Sequence, residues 1–94
     1  MKDKQEMTWE MVLVLQKLCK IAYQLDRQGH HLFVGYIAHV RGIDIDLHIN
    51  GWESGRECDY MRSFYSDTSN LPELWQFLDD LISFIQEKGI NLND

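Results

Sequence analysis

The sequence is poor in several features that usually constrain a small chain: it has one proline, two cysteines and no long hydrophobic run. Cys19 and Cys58 form no CxxC unit, so we expect buried free thiols in a reducing compartment rather than a disulfide framework. No apolar stretch approaches the roughly 18 residues that span a bilayer. The N-terminal MKDKQEMTWE also lacks an apolar signal core, and together these absences predict a cytoplasmic protein.

Linkers, repeats and low-complexity tracts are absent as well, so residues 1–94 are interpreted as a single small domain. Apolar residues make up 45% of the chain, which is too many for a disordered segment and enough for one core. The signatures GxSxG, GxGxxG, HExxH and the P-loop do not occur. We therefore predict a protein that is not an enzyme and carries no cofactor.

Positive charge is scarce in the second half of the chain. Residues 1–42 hold six Lys/Arg and four Asp/Glu, a balance of +2, whereas residues 43–94 hold three and eleven, a balance of −8. An acidic half of this kind repels nucleic acid and anionic membranes and suits a basic protein partner. Solubility alone is the simpler alternative, because acidic small domains are common.

Two segments carry apolar residues at helical spacing. The first predicts a helix from about Thr8 to Gln28, ended by Gly29. The second predicts a helix from the N-cap Asn70 to Lys88.

Between these helices, HLFVGYIAHVRGIDIDLHINGW (residues 31–52) alternates like two strands that reverse at a glycine. If Arg41-Gly42 is a two-residue turn, every facing pair on one side of the hairpin is apolar. These pairs are Val40–Ile43, Ala38–Ile45, Tyr36–Leu47 and Val34–Ile49.

Beyond the Asn50-Gly51 turn, residues 51–57 predict an irregular loop, and a third strand is expected from Cys58 to Tyr65. A tight hairpin entering a strand at Trp52 is the competing register.

The predicted order is α-β-β-β-α, an α+β fold. The three strands form an antiparallel meander, and both helices pack on its one apolar face because no other segment can cover it. The opposite face stays open to solvent or a partner. It carries Phe33, Ile37, His39, Asp44, Asp46 and His48.

The polar residues of this open face are of the types that bind metal ions. Asp44 would lie opposite His39, while His48 lies four residues farther along its strand, about 13 Å away. Because two imidazoles so far apart cannot bind one ion, we predict no metal site. Asp44 and Asp46 leave one alternative, a divalent-metal-dependent hydrolase or nuclease, although no third acidic ligand is evident.

A partner-binding surface fits the open face better. Phe33 and Trp52 are candidate apolar anchors, although Trp52 could equally fold into the core. The acidic rim consists of Asp44, Asp46, Glu53, Glu57 and Asp59.

The segment MTWEMVLVLQKLCKIAYQLDRQGHHLFVGYIAHVRGIDIDLHINGW combines a leading helix, a glycine-turned hairpin and an Asn-Gly-Trp exit. In this it resembles the small acidic orphan proteins of phages and mobile elements of Gram-positive bacteria. Such proteins often bind a host protein, and some anti-CRISPR inhibitors among them imitate the charge of DNA. The resemblance implies an inhibitor of a host protein. The acidic half of the chain predicts that this target is a basic, nucleic-acid-binding effector, and that the chain does not itself contact nucleic acid or a membrane. A self-assembling structural module, such as a homodimer, is a further alternative.

Overall fold

The computed structural model describes three stretches of the chain, residues 9–37, 42–65 and 71–92. They contain two helices and three strands in the predicted α-β-β-β-α order, which makes an α+β fold. The elements are α1 (Trp9–Asp26), β1 (His31–Ile37), β2 (Gly42–His48), β3 (Tyr60–Tyr65) and α2 (Leu71–Glu87). The strands form one antiparallel sheet with β2 in the centre. No helix within these stretches is long and apolar enough to cross a membrane.

Helix α1 buries one stripe of side chains spaced three and four residues apart, as an amphipathic helix requires. The stripe consists of Met11, Val14, Leu18, Ile21 and Leu25. The helix ends at Asp26, slightly before the predicted Gln28, because Gly29 adopts a φ of 87° and the His30 N–H donates to the Leu25 carbonyl. The predicted N-cap Thr8 lies outside the described residues. Cys19, expected to be buried, is exposed, because it lies beside this stripe rather than on it.

Both helices cover the same face of the sheet, which we call the inner face. Its buried side chains are Leu32, Ile43, Ile45, Leu47 and Phe64. Helix α1 packs over β1 and against α2, and the Phe77 ring of α2 packs on Phe64 of β3 with centroids 5.6 Å apart.

Arg62 adds a polar contact between β3 and α2. Its Nη1 donates to the Tyr60 hydroxyl at 3.2 Å and to Asp80 Oδ2 at 3.4 Å. The hydrogen bond to Tyr60 and the neighbouring Asp80 carboxylate raise the pKa of Arg62, against a smaller lowering by burial. Because both partners of the ion pair are substantially exposed, it contributes little to stability.

The hairpin register differs from the predicted one by four residues. All four predicted pairs are wrong: Val40–Ile43, Ala38–Ile45, Tyr36–Leu47 and Val34–Ile49. The apolar pairs are instead Tyr36–Ile43, Val34–Ile45 and Leu32–Leu47. Gly42 already belongs to β2 and pairs with Ile37, so the predicted Arg41-Gly42 turn is not formed, and residues 38–41 lie outside the described residues. An even shift keeps every side chain on its own face, so the apolar alternation fits both registers.

The segment after β2 is a loop, as predicted. Asn50 and Gly51 both have positive φ, 69° and 96°, which marks the expected turn. Residues 51–57 contain no strand, so the competing hairpin through Trp52 is not formed, and β3 begins at Tyr60, two residues later than predicted.

The division into two faces predicts how stability responds to truncation. Ile45 is fully buried on the inner face, so Ile45→Ala should cost about 2–5 kcal/mol through lost burial and a residual cavity. Met61, 63% exposed on the other face, is the control, and Met61→Ala should change stability by less than about 0.5 kcal/mol. Urea denaturation followed by circular dichroism measures both. Equal losses would contradict this assignment of the faces.

Candidate functional site

The face of the sheet turned away from both helices is the candidate site, and we call it the outer face. Alternation along each strand defines its members. They are His31, Phe33, Gly35 and Ile37 of β1, Gly42, Asp44, Asp46 and His48 of β2, and Met61, Ser63 and Tyr65 of β3. The structure therefore brings Phe33, Asp44 and Asp46, three predicted site residues, onto one surface.

Two carboxylates occupy the middle of the outer face. Asp46 pairs with Phe33 on one side and Met61 on the other, and Asp44 lies between Gly35 and Ser63. Both aspartates are half-buried. The Ser63 hydroxyl donates to Asp44 Oδ1 at 2.6 Å, whereas Asp46 makes no hydrogen bond or ion pair with a described residue.

No lysine or arginine lies among the described residues of the outer face, so no neighbouring cation there neutralises these carboxylates. Exposed apolar side chains surround them instead. Phe33 is 49% exposed, Met61 63% and Tyr65 55%. Exposed aromatic and methionine side chains beside charged groups are typical of protein-binding surfaces. Sequence reasoning missed Met61 and Tyr65 because the register of β3 was needed to place them on this face.

The sequence predicts His48 on a face open to solvent or a partner, but its side chain is buried. It is only 6% exposed, and its ring packs edge-on against Phe33 with centroids 5.5 Å apart. Its Nδ1 atom is buried without a hydrogen-bond partner. The expected His39–Asp44 pair is also wrong, since Asp44 lies opposite Gly35, and His39 itself lies outside the described residues.

A metal centre lacks ligands in the described part of the chain. Within residues 9–37, 42–65 and 71–92, no group of three or more His, Cys, Asp or Glu side chains is placed to hold an ion. Asp44 and Asp46 are alternate residues of one strand, about 6.5 Å apart along it. A metal-dependent hydrolase at this pair would require a further ligand from elsewhere.

The loop between β2 and β3 is held against the end of β1 by two histidines. The Asn50 N–H donates to His30 Nδ1, and the Trp52 N–H donates to His31 Nδ1, both at 2.9 Å. A ring nitrogen that accepts a hydrogen bond carries no proton, so both imidazoles present an unprotonated Nδ1 to the loop.

The predicted loop residues differ in what they contact. Asp59 accepts the Ile49 N–H at 2.7 Å and lies 3.6 Å from Arg56, so it stabilises the loop itself. Glu53 lies 4.0 Å from the same Arg56. Trp52 is 54% exposed, which places it on the surface rather than in the core.

The structure thus separates the predicted site residues into two regions. Phe33, Asp44 and Asp46 lie on the outer face, and the others belong to the loop: Trp52, Glu53, Glu57 and Asp59. Comparison with protein-family models, curated proteins and solved structures finds no match for this chain.

The histidine contacts predict a measurable change in the loop. Replacing both acceptors, His30→Ala with His31→Ala, should speed hydrogen exchange at the Asn50 and Trp52 amides on the order of three- to tenfold, because each hydrogen bond contributes about 1 kcal/mol. NMR hydrogen exchange at one fixed pH measures this. The Ile45 amide, in the centre of the sheet, is the internal control. Unchanged exchange at both loop amides would show that the histidines do not hold the loop.

The unpaired nitrogen of His48 predicts an unusual effect on stability. An unsatisfied buried polar atom costs about 1–3 kcal/mol, and His48→Leu removes it while keeping an apolar contact with Phe33. We expect an unchanged or higher Tm by calorimetry. His30→Leu is the matched control and should lower the Tm, because His30 accepts a hydrogen bond from Asn50. A clear fall in Tm for His48→Leu would mean that its Nδ1 has a partner.

Proposed function

We propose that this chain is a non-enzymatic protein-binding module whose acidic outer face engages a basic protein, of the kind that itself binds nucleic acid. One observation carries the proposal. Asp44 and Asp46 lie half-buried among exposed Phe33, Met61 and Tyr65, and no described residue of that face is a lysine or arginine. Apolar anchors beside uncompensated carboxylates favour a partner that offers both apolar surface and positive charge.

The distribution of charge along the chain supports the same partner. Residues 43–94 carry a balance of −8, and the exposed Glu53 and Glu57 extend the negative charge into the loop after β2. A field of one sign attracts an oppositely charged protein and repels nucleic acid. The resemblance to small acidic phage proteins favours inhibition of a host effector, as in anti-CRISPR proteins, as the outcome of this binding.

Two other functions compete with this proposal. A hydrolase that uses Asp44 and Asp46 is less well supported, since the described residues offer no third ligand. Self-assembly through the exposed apolar side chains of the outer face would make the second copy the partner. Light scattering distinguishes this case, because a defined oligomer would form without any foreign protein.

The proposal is tested by affinity capture from a nuclease-treated bacterial lysate. We expect a basic protein whose binding weakens as salt rises from about 0.1 M to several times that concentration, because salt screens exposed charges. Asp46→Lys should weaken this complex at least about tenfold by placing a like charge against the partner.

Asp79→Lys is the matched control. It makes the same change in net charge at an exposed position of α2, away from the sheet face, and should alter affinity much less. Circular dichroism checks that both variants stay folded. Recovery of no basic protein, or a complex insensitive to salt and to Asp46→Lys, would rule out the proposal.

A further inference from the structure

We propose that the outer face contains a slot for one arginine side chain of the partner, with Gly35 and Asp44 as its floor. This inference rests on the proposed function and specifies what the basic partner inserts. The register places Gly35, Asp44 and Ser63 side by side across the strands, and all have short side chains. Larger side chains flank this row on both sides over β1 and β3, whereas over β2 Gly42 leaves one side open.

The row on one side of the slot contains Phe33, Asp46 and Met61, and the row on the other contains Ile37, Gly42 and Tyr65. Successive rows lie about 6.5–7 Å apart along a strand, so the flanking rows are about 13 Å apart. That spacing leaves room between them for one extended side chain. Phe33, Met61 and Tyr65 are all about half exposed or more, and the Phe33 ring packs against His48, on the side away from Gly35, so this ring does not fold over the slot.

Gly35 is the second observation that points to an occupant. A Cβ added there would meet no atom within 4 Å, and Gly35 does not adopt the left-handed φ that favours glycine. Neither packing nor backbone geometry within the described residues therefore requires glycine at this position. Glycine weakens a strand interior, and a strand glycine is often found where a ligand or another chain approaches the backbone closely.

The chemistry of the slot favours arginine over lysine. Asp44 keeps acceptor capacity beyond its one bond from Ser63, and the neighbouring Asp46 makes no hydrogen bond with described residues. A planar guanidinium has five donors and can bridge two carboxylates, whereas an ammonium is a compact point charge. Arginine also stacks on aromatic rings, and the exposed ring of Phe33 stands beside Asp46.

The test uses nona-arginine and nona-lysine as probes of equal charge, titrated into the full chain at one ionic strength and followed by amide NMR shifts. We expect nona-arginine to bind at least about tenfold more tightly, with its largest shifts at residues 33–35, 44–46 and 61–63. Gly35→Val fills the slot without changing charge and should reduce nona-arginine affinity at least about tenfold.

Stability and charge controls accompany these variants. Gly35→Val should leave the Tm unchanged or raise it, because valine favours strands and a Cβ at this position meets no atom within 4 Å. If it lowers the Tm, Gly35→Ala is the smaller replacement, and a graded loss of affinity is expected. Asp44→Asn should weaken nona-arginine binding, whereas Asp79→Asn, with the same change in charge, should not.

Several outcomes would overturn the slot. They are equal affinity for both peptides, full binding to a folded Gly35→Val or Gly35→Ala variant, and equal effects of Asp44→Asn and Asp79→Asn. Shifts at the same residues with magnesium chloride alone would indicate a cation site instead, and an oligomer lost on Gly35→Val would indicate a second copy. The broader function would survive these results if Asp46→Lys still disrupted capture of a basic protein. If no basic protein is captured and neither peptide binds, both proposals fail.

Discussion

Alternation along β2 is the constraint on which the rest of the structure depends. Ile43, Ile45 and Leu47 point to one side and are fully buried, while Asp44 and Asp46 point to the other. Because β2 is the central strand, each of its residues 42–47 has a neighbour on both flanks. The same seven-residue strand therefore forms the centre of the core and the centre of the acidic face. Shifting its pairing by one residue would bury both carboxylates and expose the isoleucines.

The two helices leave the outer face uncovered because neither has a second apolar surface to pack against it. Each helix has one apolar stripe, and both stripes are buried against the inner face and against each other. No described segment remains to cover the other side, so Phe33, Met61 and Tyr65 stay exposed. Such exposure loses favourable burial energy in the free protein and can regain it when a partner binds.

The loop after β2 is held in position by polar contacts, whereas the helices and strands are held by apolar packing. The side chains of His30 and His31 accept hydrogen bonds from backbone N–H groups of the loop, and Asp59 accepts a third. Several backbone donors of an exposed segment are therefore paired. These bonds give the loop a defined position beside the sheet, with Trp52 on its surface. The acidic residues of this loop therefore have different roles: Asp59 orders the segment, whereas Glu57 faces solvent.

The element order, the identity of the inner face and the loop at residues 51–57 followed from local patterns of polarity, glycine and turn residues. These signals act between near neighbours, so a single sequence contains them. The strand register did not follow, because Tyr36 finds an apolar partner in either Ile43 or Leu47. The burial of His48 and the presence of Met61 and Tyr65 beside the aspartates did not follow either. Both features depend on which residues of separate strands become neighbours. The alternating pattern is the same for each register, so only long-range strand pairing and packing determine these neighbours.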